Sequence, residues 1–595
     1  MFRQILLAVV LTACSFAGVA IASDQPVDEP TSRYIVQADS FDVAKSAVVD
    51  SGAEITHELR IINAVGAALT KAQLSELSGD SRLKIQADRS AGVSAATLQP
   101  VQISPSLSTY RGATPGDGPQ TFYPSIAGAN YLHMKGMTGE GVTVAVVDTG
   151  IFETHDMAKD RSSGDRVLAL YDAIGDNVER AEFDGGVIEV SPFEDGNPAN
   201  DLNGHGSHVT SVIANSERDQ HGNYLGVAPG VNLISVRAFD QFGNGTYLDV
   251  IRGLDWIQQN RVEYDIRVVN LSFSAEPQSH YWDDPINQAV MRLWADGIVV
   301  VASAGNKGPD PMTIGVPGNV PYVITVGAMT DEGTPFYQED DRIASFSSAG
   351  PTVEGFVKPD VIAPGGSIIG LMNNGVQKIT MDHPEYMFSF GSSTEYFTMS
   401  GTSQSAAVVT GIVALLLDAD PSLTPDEVKC RIVSGARPAV DENGELAVSV
   451  FQQGAGLVHA YGSLTSSTND CSNVGMDINA DLAGTIHYGG RANIDENGNY
   501  YIMGLDGYLW TDGYLWTDGY LWTDGYLWTD GYLWTDGYLW TDGSIGTNGY
   551  LWTDGYLWTD GYLWTDGYLW TDGYLWTDAG ALSSTAGVNE WVDQE

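Results

Sequence analysis

Five near-continuous apolar runs stand out in the middle of the chain: 142–148 (VTVAVVD), 231–238 (VNLISVRA), 266–273 (IRVVNLSF), 297–306 (GIVVVASAGN) and 322–328 (YVITVGA). Runs of this length without polar alternation predict strands covered on both faces, as in a parallel sheet. Helical spacing of apolar residues covers 247–260, 284–296 and 403–418. Thr424-Pro425-Asp426-Glu427 is a capping box with proline at the first helical position, and it predicts one more helix start. The alternation of strand and helix predicts an α/β domain over 119–465 with a doubly wound parallel sheet. Two acidic, glycine-rich stretches, 157–200 and 366–395, read as surface insertions.

The pattern differs on either side. Residues 32–90 read as strand, helix, strand, strand, helix, strand, the order of a ferredoxin-like α+β unit. Residues 91–118 are rich in Ser, Ala, Pro and Gly and read as a cleavable linker. Before this unit, Arg3, an apolar stretch and the small residues Ala20-Ile21-Ala22 make residues 1–22 a secretory signal peptide, which predicts a secreted, extracellular protein. The alternative within it is a lipobox, LTAC at 11–14, which would anchor the chain through a lipid on Cys14. No other run approaches the ~18 apolar residues that span a bilayer.

After a linker or β extension over 466–506, the hexad GYLWTD repeats six times from 507. GSIGTN interrupts at 543–548, and five more copies run to 578, before a tail over 579–595. A register this strict predicts an all-β array rather than a globular core. In an extended chain Tyr, Trp and Asp share one face while Gly, Leu and Thr share the other. The period fits a hexapeptide β-solenoid. A meander of YLWT strands joined by Asp-Gly turns and an unfolded low-complexity tail are the alternatives. Eleven Trp and eleven Tyr on one face would exceed the apolar patch that soluble monomers tolerate, so that face is buried or binds something, with polysaccharide or a cell surface as candidate ligands.

With 76 Asp+Glu against 28 Lys+Arg the net charge is −48. Such a chain repels nucleic acid and anionic membrane, which excludes both as partners. Once the signal peptide is gone, Cys430 and Cys471 remain, and two cysteines in an exported chain predict one disulfide.

Ser400, Thr402, Ser403 and Ser405 crowd the start of the 403–418 helix. A hydroxyl becomes a nucleophile only beside a base that a third group orients. GHGSH supplies His205 and His208, Asp148 ends the first apolar strand, and Asn306 ends another. In open α/β sheets ligands bind beyond the carboxyl ends of the strands. Each piece alone is as easily a turn, a structural histidine or a helix cap.

Taken together, AVVDTGI, GHGSHV, VVASAGN, KPDVIAPG and SGTSQSAA resemble, in order, the signature blocks of the subtilisin-like serine proteases (subtilases, peptidase family S8). GAGLVHAYGSL at 454–464 is similar to the stretch that closes that domain. The resemblance implies an exported serine endopeptidase working through an acyl-enzyme, with Asp148 as orienter, His205 as base, Ser403 as nucleophile and Asn306 in the oxyanion hole. It implies protein or peptide substrates, no cofactor for the chemistry, and a structural calcium whose ligands are not legible. Ser272, Phe273, Ser274, Ala304, Gly305 and Lys307 are implied to border the substrate pocket. Lys307 at its mouth predicts tolerance of acidic side chains before the cut bond. Residues 32–90 resemble the inhibitor I9-type propeptide, an intramolecular inhibitor cut away in the linker. The sequence departs from the family where Gln404-Ser405-Ala406-Ala407 replaces the usual Met-Ala-x-Pro. The rival function is a surface-binding, adhesive protein in which the aromatic array is the main working part.

Overall fold

In a computed structural model, residues 30–93, 121–152, 166–179 and 201–502 are described, apart from 374, 391–393, 441–445, 470 and 496–499, together with strands of the hexad array between 514 and 577. The signal peptide with Cys14, residues 94–118 of the linker, 157–165 and 180–200 of the first acidic stretch, and the tail 579–595 lie outside the described residues.

Ser32–Gln37 (β1), Phe41–Asp50 (α1), Glu54–Leu59 (β2), Ala64–Leu69 (β3), Lys71–Leu77 (α2) and Lys84–Ala87 (β4) follow the expected element order. Their strands form one antiparallel sheet, β2-β3-β1-β4. Val36, Phe41, Val48, Val65 and Leu69 fill a small core under the two helices. Ser90–Val93 (β5) comes next, across the boundary between that unit and the expected linker.

The larger domain contains Thr143–Asp148 (β6), Val167–Asp172 (β7), Asn177–Glu179 (β8), His205–Ala214 (α3), Asn232–Arg237 (β9), Asn244–Thr246 (β10) and Tyr247–Asn260 (α4). Ile266–Leu271 (β11), Phe273–Ser274 (β12), Pro285–Ala295 (α5), Val299–Ser303 (β13), Ile324–Thr330 (β14), Arg342–Ile343 (β15) and Val361–Pro364 (β16) follow. Beyond them lie Ile368–Leu371 (β17), Met387–Phe390 (β18), Thr394–Met399 (β19), Thr402–Ala419 (α6) and Pro425–Ser434 (α7). The main sheet runs β15-β14-β13-β11-β6-β9-β7-β8, with β16 on β14. All pairs from β7 through β14 and β16 along this path are parallel. From β6 the chain passes out to β7, returns to β9 beside β6 and then crosses to β11, β13 and β14 on the other side, so the carboxyl end of β6 lies at the switch point where such sheets form their crevice.

The apolar runs form strands because they are covered twice. The β6 and β13 side chains are buried throughout. On one face lies α6, apolar all round, as a fully embedded helix must be. In length and hydropathy α6 would also suit a membrane span, beyond what the sequence reading allowed, but 89% of it is buried inside the fold. The Thr424 capping box forms as expected and opens α7. Lys358 of the KPD block is buried, its ammonium donating to the Val323 carbonyl (2.8 Å) and to Asp360 (2.6 Å), so this interior charge is paired.

Two expectations need correction. The strand expected over 266–273 splits at Ser272, because β12 leaves the main sheet and pairs with β5. The 366–395 stretch is not merely a surface insertion. It contributes β17, whose Leu371 is buried, to a three-stranded antiparallel sheet with β19 and β18. Residues after 465 carry a short antiparallel pair, Ala492–Ile494 with Tyr500–Ile502, and buried Asp481 accepts hydrogen bonds from Tyr281 (2.6 Å) and Tyr322 (3.0 Å), clamping this segment onto the domain. Cys430 and Cys471 form a disulfide, with Cα atoms 5.2 Å apart.

Within the array, Tyr514–Thr517 pairs in parallel with Tyr532–Thr535, and Tyr520–Thr523 with Tyr538–Thr541. Leu527–Thr529 pairs with Ile545–Thr547 of the interrupting hexad. Each strand thus meets the one three hexads later, giving three parallel sheets. Consecutive hexads do not pair among the described strands, unlike the antiparallel neighbours of a meander.

Candidate active site

Asp148 ends β6 and is buried. Its Oδ1 accepts from the Thr149 amide (2.8 Å) and meets Nδ1 of His205 at 2.7 Å. A carboxylate on Nδ1 fixes the tautomer and leaves Nε2 as the basic nitrogen. His205 opens α3, and its ring is buried. Its Nε2 has no hydrogen-bond partner among the described residues.

The start of α3 is anchored by Asp201. This buried carboxylate accepts from the amides of Gly204 (2.8 Å) and Ser207 (2.8 Å), the Ser207 hydroxyl (2.7 Å) and the Thr149 hydroxyl (2.8 Å). Burial pushes the Asp201 carboxyl above its ordinary range, against the opposing pull of these bonds. Thr149 in turn accepts from the Gly206 amide at 2.9 Å, tying Asp148's neighbour to His205's neighbour. A Cβ on Gly206 would collide with the Gly150 carbonyl, so only glycine allows this approach.

Ser403 is the second residue of α6 and is buried. Its hydroxyl donates to the Ser272 carbonyl (3.2 Å), while the Ser272 hydroxyl donates to the Ser403 carbonyl (3.1 Å). Asn270 donates to Ser272 Oγ (2.8 Å) and accepts from Thr410 (2.8 Å), so the end of β11 is bolted to α6. His208 and Gln404, neighbours of His205 and Ser403, approach at 3.4 Å between Nδ1 and Nε2. The N-terminal ends of α3 and α6 therefore meet. His208 Nε2 faces the carbonyls of Ile368 (3.2 Å) and Phe397 (3.1 Å), and burial lowers its pKa to about 3. It is a neutral structural residue, and Gln404, where the family has Met, completes its hydrogen bonding.

Asn306 follows β13. Its Oδ1 accepts from the Thr402 amide and hydroxyl, both at 3.0 Å, so its oxygen is turned toward Thr402 and its NH₂ is its donor end. Ser272, Phe273 and Ser274 lie beside β13, with the Ser303 hydroxyl donating to the Phe273 carbonyl at 3.1 Å. Ala304 and Gly305 continue from β13, and the Gly305 amide donates to Thr402 Oγ1 (3.2 Å). The Lys307 ammonium is exposed and pairs with Glu276 at 2.8 Å. Among the described residues no group of three or more His, Cys, Asp or Glu side chains is placed to hold a metal ion. Sequence reasoning missed Asp201, Asn270 and Thr410, because nothing local marks a polar residue as the partner of a distant one.

The profile of the Subtilase family matches residues 139–462. The chain belongs to the subtilase family. It is a subtilisin-like serine endopeptidase. The protease is 39% identical over 335 residues to serine protease AprX of Bacillus subtilis (strain 168), covering 55% of this chain and 67% of that protein. It is 30% identical over 334 residues to subtilisin DY of Bacillus licheniformis, covering 56% of this chain and 93% of the relative. Among solved structures, fervidolysin from Fervidobacterium pennivorans, a keratinolytic enzyme related to subtilisin, superposes with a TM-score of 0.53. That match has 22% identity and covers 73% of this chain and 61% of fervidolysin, and it speaks for the fold alone.

Proposed function

We propose that the protease cleaves peptide bonds through Asp148, His205 and Ser403 with Asn306 in the oxyanion hole, and that it is exported as a self-inhibited proenzyme. The observation that carries the first part is a buried imidazole held by a carboxylate at 2.7 Å, its second nitrogen unpartnered among the described residues, on the helix end that meets the Ser403 helix. Rotation of the Ser403 hydroxyl from the Ser272 carbonyl toward Nε2 makes the attacking pair. Ser403 Oγ bonds to the scissile carbonyl carbon while Nε2 takes its proton. Asp148 steadies the imidazolium. The oxyanion is held by the Asn306 NH₂ and the Ser403 amide, at the positive end of α6. His205 then gives the proton to the departing amine, and water, activated by the same nitrogen, releases the acyl group.

The proenzyme reading rests on β5, which lies antiparallel between β10 and β12. This is how an extended peptide adds to two exposed strand edges. The preceding unit docks on α4 and α5. Arg89 pairs with buried Asp284 (2.5 Å), the Ile61 amide donates to Asp255 (2.6 Å), and His57 meets Asp249 (3.2 Å). Export rests on the N-terminal signal sequence, with the lipid anchor at Cys14 as its alternative. We further read the array as a three-sided solenoid tethering the protease to polysaccharide or a cell surface, the strand pairing three hexads apart being its support. Peptide hydrolysis by the matured protein tests the central reading. Ser403→Ala, His205→Ala and Asp148→Ala should each lower kcat by about 10⁴-fold or more. Activity within tenfold of the parent in any of the three would refute that residue's role.

A further inference from the structure

We propose that Ser274 closes down the pocket for the substrate side chain preceding the cut bond, so that the protease prefers small residues there. The proposal rests on the reading of Ser403 as nucleophile and of the groove between β10 and β12 as the substrate channel.

The register of β5 locates the pocket. Gly92 lies opposite Ser274 and Val93 opposite Phe273. The next position along β12 is Ser272, whose carbonyl accepts the Ser403 hydroxyl. A substrate bound in this register therefore presents to the nucleophile the residue that sits opposite Ser272. Directly opposed residues of an antiparallel pair point to the same face, and positions two apart share a face. The side chain before the cut bond thus points to the same face as the side chain of Ser274.

On that face three backbone segments form a slot. One is Phe273–Ala275. The second is Ala304–Gly305, joined to the third by the Gly315 amide, which donates to the Ala304 carbonyl at 3.1 Å. Val316 and Ala275 exchange two backbone hydrogen bonds (3.0 and 2.8 Å) and close the far end. Glycine at 305 and 315 leaves the slot open on two sides, but the Ser274 hydroxyl fills the space between them. A Cβ on Gly305 would lie 3.2 Å from Ser274 Oγ, and one on Gly315 would collide with it. The Ser274 hydroxyl takes the space beside Gly315 and, with Ser348 Oγ 3.0 Å from a Cβ at Gly305, borders the space beside Gly305. Alanine, serine and glycine fit beside it, whereas a leucine or phenylalanine side chain would have to displace it. The chain's own occupant of the groove agrees. β5 reads Ser90-Ala91-Gly92-Val93, and Ser94, Ala95 and Ala96 follow in sequence, so every residue near the cleavage point is small or of valine size.

The matured full-length protein, titrated for active sites with a fluorophosphonate, would be assayed on acetyl-Ala-Gly-Val-X-p-nitroanilides with X as Ala, Ser, Leu and Phe. We expect kcat/KM for Ala and Ser to exceed that for Leu and Phe by at least about tenfold. Ser274→Gly should raise the Phe-to-Ala ratio by at least about tenfold, with Ser274→Ala between the two. Because the readout is a ratio within one preparation, partial misfolding of a variant cancels. Labelled enzyme that prefers Leu or Phe, or a Ser274→Gly variant with an unchanged ratio, overturns the pocket proposal and leaves the nucleophile intact. A protein that neither labels nor cleaves any of the four overturns the nucleophile reading, and this proposal falls with it.

Discussion

At the scale of residues, the site is built from short polar contacts made by helix ends and strand ends. Asn306 has its oxygen committed to Thr402, so its contribution is the NH₂. Asn306→Ala should therefore cost about 3–4 kcal/mol of transition-state stabilisation, seen as a 10²–10³-fold fall in kcat with KM little changed. A comparable rise in KM instead would mean that the side chain binds ground-state substrate. His208 carries a second prediction. Burial depresses its folded pKa to about 3, below the ordinary histidine value, so the unfolded chain binds more protons between those values. The stability that His208 contributes is complete above the ordinary value and is lost as pH falls toward 3. In a Ser403→Ala background, which prevents self-digestion, the urea midpoint should fall as pH is lowered through 6 to 4. His208→Gln should flatten that fall, and an unchanged slope would show that other groups control it. Asp148, His205 and Ser403 could be singled out in the sequence because each sits in a short motif with its own glycines and hydroxyls. Asp201, Asn270 and Thr410 could not, because their meaning depends on residues brought close by folding, and Ser274, placed at the pocket border by the sequence, gave no sign there of the space its hydroxyl takes up. Ser274 differs from any other serine at a strand end only through Gly305 and Gly315.

At the scale of elements, the buried strands and capped helices followed from local pattern. The helix expected over 247–260 is Tyr247–Asn260, and the one expected over 403–418 is Thr402–Ala419. β5 was hidden. Ser-Ala-Gly-Val has no alternation and little strand propensity, and it becomes a strand because β10 and β12 offer it two open edges. The docking of β1–β4 carries its own test. Arg89 is the cation beside buried Asp284, which also caps α5 through the Ile286 amide (3.0 Å) and accepts from Tyr247 (3.0 Å). Burial pushes the Asp284 carboxyl up, against the pull of Arg89. Arg89→Ala leaves that charge without its cation, at a cost of up to about 3–5 kcal/mol for a buried pair, less whatever the cap and Tyr247 recover. Residues 23–93 supplied in trans to the matured protease should inhibit it, and the Arg89→Ala version should inhibit at least about tenfold more weakly. Equal inhibition by both would remove this contact from the docking energetics.

At the scale of the whole molecule, an acidic protease domain and an aromatic repeat share one chain. The array could be recognised in the sequence from its period alone, but which strands pair could not, since every hexad is nearly the same. Pairing three hexads apart gives the described strands of the array their own backbone hydrogen bonding. Deletion of 507–578 should leave kcat/KM on small peptides within about twofold and abolish retention on insoluble polysaccharide or cell walls. Loss of small-peptide cleavage would make the array part of the catalytic fold, and unchanged retention would end its role as a tether. All of this depends on one oxygen being the attacking atom. The direct measurement is fluorophosphonate labelling of the matured protein, followed by digestion and mapping of the adduct by mass spectrometry. The account predicts a single phosphonylated residue, Ser403, absent from Ser403→Ala and strongly slowed in His205→Ala; an adduct on Ser400 or Ser405, or labelling that survives Ser403→Ala, would contradict it.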